Sequence, residues 1–213
     1  MNAAGELIVQ ETDNLASAVH SMLGLGALFA EMAEQGVAAE ALLQGTGLHP
    51  GQLDDPRSQI TQPQKVAIFR NVQRLTAVPE VGLRAGWRQR LSDFGVYGYA
   101  LVSSRTFGEA VALGIKHVRL AGPVLEKRFR IEGDTAIFEA RDVLDLDDML
   151  PLATEFWFAS VLKLATCVLE APMPSRRLLL LLHLRSAVMK YASHFQMVVC
   201  VIFRACCAIF KIV

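Results

Sequence analysis

Side chains able to take part in chemistry are densest between Asp93 and Pro123, in the stretch DFGVYGYALVSSRTFGEAVALGIKHVRLAGP. Tyrosine, serine, histidine and arginine stand there among apolar residues. A few polar groups on otherwise apolar elements are typical of a pocket for a small molecule. Two aromatic residues further along the chain could complete it, although core packing is the more common role for a tryptophan. The predicted pocket residues are Tyr97, Tyr99, Ser103, His117, Arg119, Phe138 and Trp157.

The common catalytic motifs are absent from the sequence. It has no GxSxG, no HExxH and no phosphate-binding loop, and the DFG triplet at Asp93 lacks the other kinase motifs. The five histidines do not pair at i, i+4 spacing, and the four cysteines form no CxxC pair. We therefore expect no enzyme, no catalytic residue, no metal site and no cofactor. The cysteines are interpreted as buried thiols in a reducing cytoplasm.

Two groups of arginines could bind an anion. Arg84, Arg88 and Arg90 lie on one predicted helix, and Arg128 and Arg130 project from one face of a predicted strand. Facing a cleft, either group could hold a phosphate or a carboxylate. Ion pairs or a solvated face are the more common role of such charges, and the sequence favours that interpretation for both groups.

Charge and composition exclude several classes of protein. Lysine plus arginine equals aspartate plus glutamate, 21 each, so the chain lacks the basic surface needed to hold DNA by itself. Hydrophobic residues make up 53% of the chain, which is enough for a sizeable core. No basic leader precedes an apolar segment, and no 18 consecutive residues are apolar. We expect a cytoplasmic protein with no membrane partner.

Helical patterns dominate the first half of the chain. Apolar spacing predicts helices over about 14–35 and 37–44, and a third follows Thr61 and Gln64, which form a capping box. A fourth helical segment is predicted over 80–90. These helices must position the polar stretch described first.

The polar stretch itself reads as two short helices. The break between them is Ser103-Ser104-Arg105-Thr106, and Thr106 with Glu109 forms a second capping box. Gly122-Pro123 ends the second helix, because proline cannot continue it.

Strand patterns appear in the second half. Alternation of apolar and charged residues over 125–131 and 135–141 predicts a β-hairpin. A long helix over about 151–170 follows, then a strand near 177–183 and a terminal pair of strands within 198–213.

The predicted fold class is α+β, with a helical N-terminal half followed by a small, mostly antiparallel sheet packed with helices. Residues 1–13 are predicted to be a disordered leader. A single domain is predicted over 14–213, with a helical part over 14–122 and an α+β part over 123–213.

Several short strings also occur together in one order along the chain. They are Gly36-Val37, Ala41-Leu42-Leu43-x-Gly45-Thr46-Gly47-Leu48, Asp55-Pro56, Ile60, Gly82-Leu83-Arg84-x-Gly86, Leu91-Ser92-Asp93-Phe94-Gly95-x-x-Gly98-Tyr99-Ala100-Leu101-x-Ser103-Ser104, Thr106-x-Gly108-Glu109-Ala110 and Arg119-x-x-Gly122-Pro123. In this order they resemble the N-terminal "arabinose-binding-domain" type of AraC/XylS transcription regulators. The resemblance covers about residues 15–213.

The resemblance implies a regulatory domain that binds a small-molecule effector and forms a homodimer. In such regulators a C-terminal domain with two helix-turn-helix motifs reads DNA, and that domain is missing from this sequence. DNA would therefore be a partner only through the missing domain, in agreement with the balanced charge. The resemblance does not identify the effector. The alternative is a module that dimerises without a ligand.

Overall fold

The computed structural model describes the larger part of the chain. The described residues are 8–9, 19–53, 55, 57–118, 124–132, 135–142, 144, 146–172, 175–180 and 198–204. Side chains are described for these residues except 8–9, 19, 132, 135–136, 175–180 and 198–204.

Within the described residues the fold contains seven α-helices. They are α1 (Gly26–Glu34), α2 (Ala39–Leu43), α3 (Gln62–Leu75), α4 (Val81–Trp87), α5 (Gly95–Val102), α6 (Phe107–Lys116) and α7 (Leu150–Leu169). Six of the seven precede residue 117, so the predicted helical N-terminal half is confirmed.

The described strands form two antiparallel sheets. The strands are β1 (Ile8–Val9), β2 (Val19–Ser21), β3 (Gln59–Thr61), β4 (Glu126–Glu132), β5 (Thr135–Arg141), β6 (Ser175–Leu180) and β7 (Val198–Arg204). Five of them make a sheet in the order β1-β4-β5-β7-β6, while β2 and β3 pair separately. The α+β fold class is therefore confirmed.

The helix predicted over 14–35 is shorter than expected. Val19–Ser21 form β2, and α1 begins only at Gly26. Gly24 has a φ of +79°, a left-handed conformation that interrupts a helix and that glycine adopts at little cost. The turn around Gly24 brings the residues just before α1 against the core, where Leu25 is almost completely buried.

Both predicted capping residues start helices, but only one pair is reciprocal. At α3 the Thr61 hydroxyl accepts from the Gln64 amide, and the Gln64 side chain accepts from the Thr61 amide at 2.8 Å. At α6 the Thr106 hydroxyl accepts from the Glu109 amide at 3.1 Å. The Glu109 carboxylate accepts instead from the amide of Arg105, one residue before the cap.

Helices α4 and α7 approach closely because α4 carries two glycines on one face. A methyl group on Gly86 would lie 2.5 Å from the Phe156 carbonyl oxygen and 2.6 Å from Cβ of Ala159. A methyl group on Gly82 would lie 2.8 Å from the Leu152 carbonyl oxygen. The spacing of four residues places both glycines against α7. This contact fixes one wall of the core.

The arginines of α4 form ion pairs with α1. Glu31 is completely buried, and its carboxylate accepts from Arg84 at 2.8 Å and from Arg88 at 2.7 Å. Arg88 also contacts Glu34. Arg84 and Arg88 therefore hold α4 and α1 together by ion pairs. Ion pairs were the more common role considered for these arginines from the sequence.

The hairpin of β4 and β5 has one charged face and one apolar face. Phe129 pairs with Phe138 across the strands, and both rings are buried in the core. On the opposite face Arg128 pairs with Glu126 at 2.5 Å, and Arg130 pairs with Glu139. The strand arginines thus also form ion pairs within the sheet.

One described helical segment, Asp147–Leu169, is long and apolar enough to cross a membrane by length and composition, with a mean hydropathy of 1.5. Its main part, α7, packs against α4, and Leu152, Ala153, Trp157, Ala165 and Val168 belong to the buried core. A core helix of a water-soluble domain has the same length and composition.

Some predicted segments fall partly outside the described residues. Within the predicted leader, Ile8–Val9 pair with β4, and the other residues before Val19 are not described. The predicted strand near 177–183 corresponds to β6, and the first terminal strand corresponds to β7. The predicted strand over 208–213 lies outside the described residues.

Candidate functional site

A cavity of about 200 Å³ lies between the helices and the sheet. Its wall comes from the turn before α1 and from α3, α5, α6, α7 and β4–β5. The wall is mostly aliphatic and aromatic. Its aromatic residues are Phe69, Phe94, Tyr97, Phe107, Phe138, Phe156 and Trp157. A space of this size and lining suits a small ligand with an apolar body.

Three of the seven predicted pocket residues line this cavity. Tyr97, Phe138 and Trp157 come from α5, β5 and α7, and the fold brings them to one space. Sequence spacing alone could not place them together, because they are separated by up to 60 positions. That these three residues contact an effector stays a prediction.

The other predicted pocket residues are not among the described residues that line the cavity. Tyr99 is 73% exposed, since two residues along a helix turn the side chain to the opposite side from Tyr97. Ser103 and His117 are the C-cap residues of α5 and α6, and both are exposed to solvent. These three are corrections to the predicted pocket. Arg119 lies outside the described residues.

The side chain of Tyr97 is held in place by a hydrogen bond. Its hydroxyl donates to the Gly114 carbonyl oxygen of α6 at 2.6 Å. Burial raises the pKa of the Tyr97 phenol above its ordinary value, so the hydroxyl remains protonated and keeps this bond. Tyr97 therefore joins α5 to α6 and presents its ring to the cavity.

Trp157 stacks on Phe138 and has an unused donor. The two ring centroids are 5.4 Å apart and the planes differ by 10°. Trp157 is 6% exposed, and its indole Nε1–H has no hydrogen-bond partner among the described residues. A buried N–H without a partner is uncommon and costs free energy unless a ligand or water accepts from it.

Gln89 contributes an unsatisfied hydrogen-bond acceptor to the cavity wall. It is 1% exposed, and its side-chain amide donates to the Gly24 carbonyl oxygen at 2.7 Å. This bond leaves Oε1 of Gln89 buried and without a partner within the described part of the chain. The cavity wall thus contains one unsatisfied donor and one unsatisfied acceptor.

Two lysines in the wall were not predicted from the sequence. Lys65 of α3 is 6% exposed, and Lys127 of β4 is half-buried. Burial lowers the pKa of each ammonium to about 7, and the positive charge of Lys65 contributes further to the lowering at Lys127. Near neutral pH both lysines can gain or lose a proton.

A pattern in the sequence could have identified both lysines. Lys65 takes the first position of an i, i+3, i+4, i+7 series whose other members, Ile68, Phe69 and Val72, are buried. Lys127 shares the apolar face of β4 with Phe129. A lysine on the apolar face of an element must either pair, lose its charge or meet a ligand.

Comparison with known families agrees with this architecture. Residues 36–209 match the family described as the arabinose-binding domain of AraC transcription regulators, N-terminal. The chain belongs to this family. The AraC-family resemblance deduced from the ordered strings is therefore confirmed, and the chain is a regulatory domain of the AraC type.

The curated relatives are transcription regulators. An ornithine utilization regulator of Pseudomonas aeruginosa is 27% identical over 151 residues, which is 71% of this chain and 44% of the relative. Uncharacterized HTH-type transcriptional regulators of Mycobacterium bovis and Mycobacterium tuberculosis are each 28% identical over 117 residues, which is 54% of this chain and 32% of each relative. The chain therefore spans less than half the length of these relatives. Transcription regulators are not enzymes, in agreement with the lack of catalytic motifs.

Two solved structures share the fold. One comes from a study of haem redox potential and porphyrin distortion, with a TM-score of 0.51, 10% identity and coverage of 86% of this chain and 99% of that chain. The other is an oxygen-binding H-NOX domain related to soluble guanylate cyclases, with a TM-score of 0.51, 12% identity and coverage of 86% and 94%. At this identity the likeness concerns the fold alone.

The described cavity wall of this AraC-family domain does not fit haem. Haem iron takes an axial histidine, cysteine, methionine or tyrosine. No histidine, cysteine or methionine lines the cavity among the described residues, and the hydroxyl of Tyr97 is bonded to Gly114. Nor do the described residues contain a group of three histidine, cysteine, aspartate or glutamate side chains that could hold a metal ion.

Proposed function

We propose that this chain is the effector-sensing and dimerisation domain of a cytoplasmic AraC-type regulator. A small molecule binds in the cavity, and its binding controls how a helix-turn-helix domain outside this sequence engages DNA. The observation that carries this proposal is the cavity of about 200 Å³, whose apolar wall contains two unsatisfied polar groups. Such a combination is typical of a ligand site rather than of a packed core.

The composition of the wall suggests how a ligand would act on the domain. Helices α3, α5, α6 and α7 and the hairpin β4–β5 all contribute to the wall, so a bound molecule contacts most of the fold at once. A ligand shifts an equilibrium between two arrangements only as far as its affinities for them differ. Trp157 and Gln89 provide that difference if their unsatisfied atoms pair with the ligand in one arrangement only.

A thermal-shift screen of small metabolites tests the proposal. L-Ornithine belongs in the screen because one relative is named an ornithine utilization regulator. A ligand at one hundred times its Kd stabilises the folded state by about 2.7 kcal/mol, which raises the Tm of a domain of this size by roughly 5–10 °C. Trp157→Phe should reduce the shift, while Lys116→Ala, in an exposed position outside the cavity wall, should leave it unchanged. If no compound in a broad screen raises the Tm, the sensing proposal fails.

Ligand-independent dimerisation is the second candidate function. Val96, Tyr99 and Val102 recur every three residues on α5 and are 86%, 73% and 41% exposed. An exposed apolar row of this kind is typical of an interaction surface. The opposite side of the same helix carries Tyr97, which lines the cavity.

Sedimentation equilibrium of the wild type and of Val96→Glu distinguishes the two functions. A dimer that depends on Val96, and whose dissociation constant is the same with and without every screened compound, would favour the interaction module. A dimer whose dissociation constant changes with a ligand would favour the sensor. Lys116→Glu, on an exposed position of α6, is a control for the added negative charge.

A further inference from the structure

A groove lined mainly by apolar side chains lies between α4 and α7 at the surface of the domain. Leu83 and Trp87 line it from α4, and Phe158 and Leu162 line it from α7, with the two residues of each helix four positions apart on one face. Trp87 is 54% exposed and Leu83 is 41% exposed, while the other two are half-buried. An exposed tryptophan beside other apolar side chains is typical of a surface that binds another protein.

The groove has an acidic end and a basic end. At the end nearest the start of α4, a methyl group on Gly82 would lie 3.1 Å from a carboxylate oxygen of Glu155. At the other end, the Lys163 ammonium lies 5.7 Å from the centre of the Trp87 ring. The two helices therefore run in the same direction along the groove, and α7 carries one charge of each sign at its two ends.

The charges at the two ends are not paired within the described part of the chain. The ion pairs there involve neither Glu155 nor Lys163. By contrast, Arg84 and Arg88 also line the groove, but both pair with the buried Glu31. Glu155 and Lys163 are therefore available to a second molecule.

We propose that two copies of this chain pair through the groove, with Glu155 of each copy beside Lys163 of the other and Trp87 in the apolar middle. The inference rests on the proposed dimerisation function and names the surface that performs it. The two copies are related by a two-fold axis, because most homodimers join the same patch of both subunits in this way.

The spacing of the two charges fits a two-fold pairing. A patch that meets its own copy across a two-fold axis must be complementary to itself. Glu155 and Lys163 are eight positions apart on α7, about 12 Å along the helix, and Ala159 lies midway. When two α7 helices meet antiparallel at Ala159, the acidic end of each groove meets the basic end of the other. Each dimer then contains two Glu155–Lys163 pairs and buries the exposed apolar side chains between them.

A second copy fits the groove better than a partner of a single charge. An acidic partner would meet the carboxylate of Glu155, and a basic partner would meet the ammonium of Lys163. Burial, and then the neighbouring charge of Glu80, raises the pKa of Glu155, and a lysine from a second copy would favour the ionised carboxylate again. The exposed row on α5 has no such charge pattern, because no charged residue lies within Gly95–Val102.

Reversal of the two charges tests the pairing by sedimentation equilibrium of the full chain. The wild type is expected to be a dimer. Glu155→Lys and Lys163→Glu should each raise the dimer dissociation constant at least about tenfold, because like charges then face each other twice in every dimer. An equimolar mixture of these two variants should dimerise again, since each mixed dimer restores both pairs of opposite charge. The double variant Glu155→Lys/Lys163→Glu should dimerise for the same reason.

Control variants separate the groove from other surfaces. Lys116→Glu, on an exposed position of α6, and Val96→Glu, in the exposed row of α5, should leave the dissociation constant within about twofold of wild type. Trp87→Ala should raise it at least about tenfold, because it removes the largest exposed apolar side chain of the groove. Circular dichroism of each variant checks that it remains folded, so that a lost dimer is not mistaken for lost structure.

Three results would overturn the groove as the pairing surface. They are a dissociation constant that neither charge reversal changes, a mixture of the two variants that does not recover the dimer, and a dimer that depends on Val96 instead. A wild type that stays monomeric at every concentration overturns the groove together with the proposed dimerisation.

The sensing part of the proposed function is tested separately from the groove. Trp87, Glu155 and Lys163 are not among the described residues that line the cavity, so a metabolite that raises the Tm of the wild type should also raise it in the charge-reversed variants. Such a rise, together with a dimer that ignores both reversals, would contradict the groove and leave the sensor intact. A dimer that follows the predicted pattern, in a chain that no metabolite stabilises, would uphold the groove and contradict the sensor.

Discussion

The indole ring of Trp157 lies nearly parallel to the phenyl ring of Phe138, with 5.4 Å between centroids and 10° between planes. The stack joins α7 to β5, the strand that precedes it in the chain. It also leaves the indole N–H of Trp157 without a partner in the described part of the structure. The same pair therefore holds the cavity wall together and supplies a donor to the cavity.

Removing the stack should loosen this wall. Phe138→Leu keeps an apolar side chain but loses the aromatic pair and part of the buried area, so we expect the free energy of unfolding to fall by about 1–2 kcal/mol. Urea denaturation followed by far-UV circular dichroism measures it. Phe158→Leu is a matched control, because Phe158 is half-buried on α7 and does not line the cavity. An equal loss for both substitutions would contradict a special role for the stack.

The two lysines of the cavity wall should make stability depend on pH. Their pKa is about 7 in the folded chain and 10.5 in the unfolded chain, so between these values the unfolded chain binds more protons. The free energy of unfolding should therefore rise with pH across this window, by up to about 1.4 kcal/mol per pH unit for each lysine. Below pH 7 both states are protonated, and this contribution no longer changes.

Urea denaturation at pH 7, 8 and 9 measures the slope. Lys65→Met should lower the slope relative to wild type, because it removes one of the two titrating ammonium groups. Lys116→Met should leave the slope unchanged, since Lys116 is exposed. A slope that is the same in Lys65→Met and wild type would show that Lys65 does not titrate in this range.

The close approach of α4 to α7 should tolerate no added methyl group at Gly86. Gly86→Ala would place Cβ 2.5 Å from the Phe156 carbonyl oxygen, so we expect a loss of about 1–3 kcal/mol in the free energy of unfolding. Gly26→Ala, in α1, meets no atom within 4 Å and should be neutral or stabilising by up to about 1 kcal/mol. A neutral Gly86→Ala would mean that the two helices can separate without cost.

Elements could be predicted from the sequence where the pattern that defines them lies in neighbouring residues. The Thr61–Gln64 capping box, the alternation of β4 and β5 and the long apolar pattern of α7 all depend on neighbouring residues, and each element is present. The predicted helix over 14–35 was wrong over residues 19–25. Its apolar residues fit a helix, but the left-handed turn at Gly24 and the pairing of β2 with β3 are not visible in helical spacing.

The site was predictable only in part, because a cavity is made by elements that are distant in the sequence. Of the residues predicted for the pocket, Tyr97, Phe138 and Trp157 line the cavity, while Tyr99 faces solvent. The prediction selected polar groups near a helix break. It did not select Lys65, which lies within an apolar series of α3. A charge on an apolar face was a signal of the cavity wall that the prediction did not use.

Nuclear magnetic resonance of the two indole N–H groups tests the central claim most directly. The chain contains two tryptophans: Trp157 lines the cavity, and Trp87 is 54% exposed on α4 and serves as an internal control. When a compound that raises the Tm is added, the Trp157 indole signal should shift and saturate, while the Trp87 signal stays in place. Trp87→Phe assigns the two signals. If the Trp157 signal does not respond to a stabilising ligand, or if only the Trp87 signal moves, the cavity is not the effector site.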